Sequence, residues 1–350
     1  MPLYSEYQKI KSDHPQMRMV DAAKQLNVSE AELLQSCVGN GTVRLNNDFG
    51  GILKSLKQLG KVMALARNAE VVTEISGNYE KVYVQNENDR LKGIAINPGG
   101  IDLRFFFDHW HSAFATQVGA LKSIQFFDKY GDAIQKIYLK NTESDNVYND
   151  IVNKYKNDNQ STPLVLSTPP QVTDTSLADN EVDVAKLESA WEKMTDVHQF
   201  PALLKAHNVS RHQAMKLISD KWSKEVSPNC LDSLLQQAKS GKEEIMAFVG
   251  NKGIVQIFSG RVNLLKPMGD WFNVLDPDFN LHVNTKGLQK AYIVHKPTDN
   301  GDVTVSSVEF LNDKNETVLT FFGSRTEGKV QTEGWKRIIN TLLSDNTLAA

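Results

Sequence analysis

One succession of short segments occurs twice along this chain, which restricts it to folds made of two copies of a single unit. Asn27-Val28-Ser29, followed by Glu30-Ala-Glu-Leu-Leu, returns as Asn208-Val209-Ser210, followed by Arg211-His-Gln-Ala-Met. Val62-Met-Ala-Leu-Ala-Arg-Asn68 returns as Ile245-Met-Ala-Phe-Val-Gly-Asn251, and Val71-Val-Thr-Glu-Ile-Ser-Gly77 as Ile254-Val-Gln-Ile-Phe-Ser-Gly260. Asn97-Pro98 parallels Asp276-Pro277. Ser123-Ile-Gln-Phe-Phe-Asp parallels Ser307-Val-Glu-Phe-Leu-Asn, and Thr142-Glu143 parallels Thr326-Glu327. The order is the same and the offset nearly constant, which duplication explains and chance does not.

A polar stretch from Asn157 to Asp183 separates the copies. It is rich in Ser, Thr, Pro and Asp, and its Pro169-Pro170 pair favours extended, solvated chain over helix. The expected organisation is residues 1–160, a linker at 161–183, and residues 184–350. Each copy reads as helices first, then short strands with turns, then a closing helix. Ser29 with Glu32, and Ser210 with Gln213, have the spacing of capping boxes. Strands are expected at Ser123–Asp128 and Ala133–Leu139 about Tyr130-Gly131. In the second copy they are expected at Lys290–His295 and Val303–Leu311 about Pro297-Thr-Asp-Asn-Gly301. Closing helices are expected at Asn146–Lys156 and Thr332–Leu343. Strand following strand argues for an α+β fold of two tandem homologous domains, each with helices packed on an antiparallel sheet, the sheets stacked into a saddle.

Composition narrows the functional classes. With 350 residues and a formal charge of −3, the chain offers no basic field for nucleic acid, and a DNA-binding role is not expected. Two distant cysteines, Cys37 and Cys230, support neither a disulfide framework nor a zinc ribbon. The start lacks a signal-peptide pattern, and no apolar run approaches membrane-helix length, so a cytoplasmic protein without stable membrane insertion is expected. No P-loop, G-x-G-x-x-G, H-E-x-x-H or G-x-S-x-G motif occurs.

The copies differ where a ligand site would show. Aligned on the shared Asn-Val-Ser, His198 stands opposite Met17, so an imidazole exists in one copy only. It lies in Met194-Thr-Asp-Val-His-Gln-Phe200, where Thr195 or Asp196 could cap the following helix; neutral imidazole there could bind a metal, or simply pack at a capped turn. His109, His111, His207 and His212 read as surface residues. Arg104, on the apolar strand Ile101-Asp-Leu-Arg-Phe-Phe-Phe, needs a partner such as Asp102. Arg211, Lys296 and Arg325 each read as solvated charges, but together they could clamp two carboxylates. Phe105 to Phe107, Met246 and Phe248 read first as core.

Several long segments then resemble one family. Trp191-Glu-Lys-Met-Thr-Asp-Val-His-Gln-Phe200, Glu244-Ile-Met-Ala-Phe-Val-Gly-Asn251, Asp102-Leu-Arg104, Lys296-Pro-Thr and Gly323-Ser-Arg-Thr-Glu-Gly328 occur in order. Across nearly the whole chain they resemble the bacterial haemin-degrading and haemin-transport proteins typified by HemS, ChuS, ShuS and HmuS. The resemblance implies haem as ligand, His198 as proximal iron ligand and Arg104 as the distal arginine. It implies Arg211, Lys296 and Arg325 at the propionates or pocket, with Met246, Phe248 and Phe107 as apolar walls. Imidazole is a good iron ligand, and a distal arginine can hold water or oxygen on iron. The chain departs from the family at Pro201, where relatives have Phe, at Phe322 in place of Tyr, and at Ser324 in place of Gln. Thr73 replaces a first-half histidine that some relatives use for a second haem.

The resemblance implies a cytoplasmic haem-uptake and iron-acquisition protein, either degrading haem with an electron donor and oxygen or peroxide, or storing haem and delivering it elsewhere. It also implies an inner-membrane haem importer, and a reductase or haem acceptor, as partners, and a monomer or dimer.

Overall fold

The computed structural model describes residues 2–87, 90–141, 143–169, 176–324 and 330–345. The chain divides into two compact units. The first holds Met1–Arg67, Thr73–Pro170 and Gly250–Gln256; the second holds Asn68–Val72, Gln171–Val249 and Ile257–Ala350. The described strands form two antiparallel sheets of nine.

In the first copy the strands are β1 (Thr42–Leu45), β2 (Val62–Arg67), β3 (Val71–Gly77), β4 (Val82–Glu87), β5 (Arg90–Ala95), β6 (Asp102–Phe106), β7 (Trp110–Val118), β8 (Leu121–Asp128) and β9 (Ala133–Leu139). Neighbouring order runs β1-β7-β8-β9-β2-β3, with β4-β5-β6 as a separate meander. In the second they are β10 (Ser223–Val226), β11 (Ile245–Gly250), β12 (Ile254–Gly260), β13 (Leu265–Met268), β14 (Trp271–Leu275), β15 (Phe279–Asn284), β16 (Lys290–Thr298), β17 (Val303–Leu311) and β18 (Thr317–Gly323). Their order repeats: β10-β16-β17-β18-β11-β12, with the meander β13-β14-β15. The expected strands and the α+β class are all present, and each copy closes with a helix, Asp145–Tyr155 or Glu333–Asp345.

Local chemistry explains why the copies fold alike. Asn27 and Asn208 both take left-handed φ, 54° and 51°, a region asparagine tolerates better than most residues. Each precedes a serine N-cap. Ser29 makes a full capping box, its Oγ accepting from Glu32 N at 3.2 Å while the Glu32 carboxylate accepts from Ser29 N at 2.8 Å. Ser210 accepts from Gln213 N at 3.1 Å, but the return bond is not made. The Gln213 amide instead donates to Leu177 O at 2.7 Å and Asp179 at 2.8 Å, tying the end of the linker to the helix.

In the second unit, Tyr292, Val294 and Leu311 pack with Leu187, Trp191, Met194, Phe200, Leu203 and Met215 from the helical segment that precedes the sheet. The helix Glu333–Asp345 buries Trp335, Ile338, Ile339 and Leu342, the i, i+3, i+4, i+7 stripe of an amphipathic helix. Trp335 lies where a Cβ on Gly323 would approach its ring to 2.5 Å, so this strand position excludes any larger residue. No described helix is long and apolar enough to cross a membrane.

Candidate functional site

His198 lies in the 3-10 turn Val197–Gln199, with Asp196 as its cap. Asp196 Oδ1 accepts from His198 N at 2.8 Å and meets His198 Nδ1 at 2.7 Å. A carboxylate can only accept, so Nδ1 carries a proton, and in the neutral ring the lone pair then lies on Nε2. That is the carboxylate–histidine arrangement that orients an imidazole toward a metal. The side chain is 88 % exposed, and Nε2 has no partner among the described residues. Pro201 falls in the first turn of the helix Phe200–Ala206, where a missing N–H is harmless, so His198 stays on the turn before it.

His212 differs. His212 Nε2 is engaged by Lys290 Nζ at 3.2 Å and Tyr292 Oη at 3.3 Å. Burial, with the charges of Lys290 and Lys216, moves His212 below its ordinary value. His207 is half-buried and His109 exposed.

Phe200, two residues past His198, is buried, and two cations lie over its ring. Arg211 Cζ is 5.1 Å and Lys296 Nζ 4.6 Å from the centroid. Both hold one carboxylate that the sequence reading did not single out, Glu309. Arg211 binds it through Nε at 2.7 Å and Nη2 at 2.8 Å, and Lys296 Nζ binds it at 2.7 Å. Glu309 is fully buried. Burial alone would raise its pKa, but the two cations outweigh that and hold it well below the usual carboxylate range. Burial, opposed by Glu309 and reinforced by Arg211, lowers Lys296 to about 8. The side chain of Arg211 is 37 % exposed and that of Lys296 only 5 %. Arg211 can therefore meet a ligand directly, whereas Lys296 acts through the shared carboxylate.

Strand register extends the surface. Side chains alternate along strands, so Lys296, Glu309, Thr320, Phe322, Met246 and Phe248 share one face. Its near part carries Tyr292 and Val294 and is buried under the helices. Its far part, Met246, Phe248 and Phe322, is only half-buried. Phe248 and Phe322 meet edge to face at 5.1 Å. The second unit thus sets Lys296, Met246 and Phe248 on one sheet face and ties Arg211 to it through Glu309, while His198 lies two residues before Phe200, whose ring both cations cover. Arg325 lies outside the described residues.

Arg104 belongs to the first unit. Its guanidinium pairs with Asp102 and donates to Leu103 O at 3.1 Å. Register puts Tyr83, Ile94 and Arg104 in one row across β4-β5-β6, with Phe106 on the same face. The aromatic beside Arg104 is therefore Phe106, 46 % exposed. Phe107 turns inward, 6 % exposed, and packs on Phe105 at 5.5 Å and Trp110 at 5.1 Å. Two-residue alternation could have shown this, since 104 and 106 share a face and 105 does not. Thr73 is buried.

The haemin-degrading HemS.ChuX domain family matches residues 27–155 and again 208–342. The chain belongs to this family. It is 36% identical to the hemin transport protein HmuS of Yersinia pestis, over 99% of both chains. Two solved structures share its fold at full length. Holo-PhuS, a haem-binding protein from Pseudomonas aeruginosa, matches with TM-score 0.92 and 36% identity over 97% of this chain and 98% of that one. ChuS, an E. coli haem oxygenase, matches with TM-score 0.86 and 33% identity over 98% and 100%. The family match, made once per copy, also accounts for the internal repeat.

Proposed function

We propose that this chain is a cytoplasmic haem-binding protein of a bacterial haem-uptake and iron-acquisition system, and that it opens the haem ring to release iron. The observation that carries the reading is the state of His198: Nδ1–H held by Asp196, Nε2 unpaired and exposed. Iron held in a porphyrin already has four nitrogens, so one protein imidazole suffices. Arg211 supplies a cation for a propionate, with Lys296 and Glu309 fixing it, and Met246, Phe248 and Phe322 give an apolar wall. The family names and the holo-PhuS and ChuS neighbours point to the same ligand.

Arg104 is the proposed distal donor. Its pairing with Asp102 holds a guanidinium on a face that also carries Tyr83 and Phe106. The roles of Arg325 and Phe107 rest on the resemblance alone. Haem supplies the redox chemistry when bound, while the chain orients it and donates hydrogen bonds. An inner-membrane haem importer and a reductase are the expected partners.

A second reading, delivery of intact haem to an acceptor, is favoured by the exposure of His198, which leaves its nitrogen accessible to exchange. The test follows the Soret band of the complex after adding a reductant under air with catalase present. Degradation predicts loss of the band and release of iron, both slowed in Arg104→Ala. A stable band in the wild type contradicts degradation and leaves delivery.

A further inference from the structure

The meander β13-β14-β15 buries one face through Phe272, Val274, Phe279, Leu281 and Val283. Its other face carries the exposed Lys266, Met268 and Trp271. Register sets Lys266, Asn273 and His282 in one row across it, and Met268, Trp271 and Asn284 in the next. Met268 and Trp271 are exposed large apolar side chains.

Asn273 is buried, and its amide orientation is fixed. Nδ2 donates to Lys266 O at 3.0 Å and Trp271 O at 3.4 Å, which leaves Oδ1 facing His282 Nδ1 at 2.7 Å. An amide oxygen only accepts, so Nδ1 must carry the proton. In the neutral ring Nε2 then holds the lone pair, with no partner among the described residues. This is the state that Asp196 imposes on His198.

The repeat adds a second argument. With one residue fewer after Asp276-Pro277 than after Asn97-Pro98, buried Ile101, just before β6, and Leu103 and Phe105 on it correspond to buried Phe279, Leu281 and Val283 on β15. The row Tyr83–Ile94–Arg104 corresponds to Lys266–Asn273–His282. His282 therefore stands where the first copy carries Arg104.

We propose that His282 Nε2 is the iron ligand of a second, weaker haem site, with Trp271 and Met268 against the porphyrin and Lys266 toward a propionate. The proposal rests on the reading that this chain binds haem at His198. No group of three or more His, Cys, Asp or Glu able to hold a metal ion occurs among the described residues. One imidazole beside a flat aromatic suits a metal already held in an apolar disc.

The experiment is a haemin titration, read by Soret absorbance, of the wild type, His198→Ala, His282→Ala and the double variant, with iron-free protoporphyrin as a parallel probe. The wild type should bind two equivalents, the second at least tenfold weaker. His282→Ala should lose the weaker equivalent and keep the tight one, His198→Ala the reverse, and the double variant both. Asn273→Ala, which unlocks the tautomer, should weaken the second equivalent about tenfold. A wild type that saturates at one His198-dependent equivalent overturns this proposal and leaves the function standing. Binding of no haem overturns both. A second equivalent that survives in His282→Ala, or that protoporphyrin fills equally well, also overturns the His282 site.

Discussion

Glu309→Gln removes the one carboxylate shared by Arg211 and Lys296. At pH 7 the negative charge behind three hydrogen bonds, two from Arg211 and one from Lys296, is lost, and the new NH2 cannot accept where a carboxylate oxygen did. Removing one partner of a buried ion pair costs about 3–5 kcal/mol because the other charge is left uncompensated. Arg211 is partly exposed and can turn to water, so the lower figure applies, ~3 kcal/mol. The loss depends on pH. Lys296 has a folded value of about 8 against an ordinary 10.5. Below pH 8 it is charged in both states, and its burial penalty is fully present. As pH rises from 8 toward 10.5 the unfolded chain keeps the proton longer, so this group adds stability over that window. Near pH 9.5 Lys296 is mostly neutral in the folded wild type as well as in the variant. Only the Arg211 contacts then separate them, worth ~1 kcal/mol at a partly exposed pair. Urea unfolding at both pH values measures this. A loss below ~1 kcal/mol at pH 7, or the same loss at both, refutes the argument that Lys296 is charged and anchored by Glu309.

Further outcomes follow from other contacts. Gly131→Ala should destabilise the first unit by at least ~1 kcal/mol in thermal melts, because φ is 85° and the new Cβ would meet Ser29 Oγ at 2.2 Å. Ser29→Ala should cost about 1 kcal/mol through loss of the full capping box, and Ser210→Ala less, since only half the box forms there. Asp196→Ala should weaken the first haem equivalent roughly tenfold by releasing the His198 ring, while urea stability stays within ~1 kcal/mol. An unchanged affinity would show that His198 is not held through Nδ1.

The duplication, the strands, the closing helices and the serine caps were legible because each rests on residues close in sequence. Glu309 was not. Its quoted segment, Ser307-Val-Glu-Phe-Leu-Asn, stood opposite Ser123-Ile-Gln-Phe-Phe-Asp, and the Gln125-to-Glu309 change was the available signal. Its meaning needs partners 98 and 13 residues away. The same holds for a reversal between the copies. In the first, Glu30 at the helix start pairs with Lys136 on β9; in the second, Arg211 at the corresponding position pairs with Glu309 on β17. Both keep a helix-to-sheet ion pair, but only the second leaves a cation partly open to a ligand. Phe106 was hidden within a run of three phenylalanines, where alternation decides which ring faces out. His282 was invisible because its tautomer depends on a strand neighbour, Asn273, fixed by two backbone carbonyls.

In the proposed function His198 Nε2 holds the iron of the tight haem. Its most direct test is a titration of haemin, below one equivalent, into the wild type and His198→Ala, followed by Soret absorbance. A histidine-ligated spectrum is expected in the wild type, and its loss or a far weaker first equivalent in the variant. The same spectrum and affinity in both proteins would contradict it.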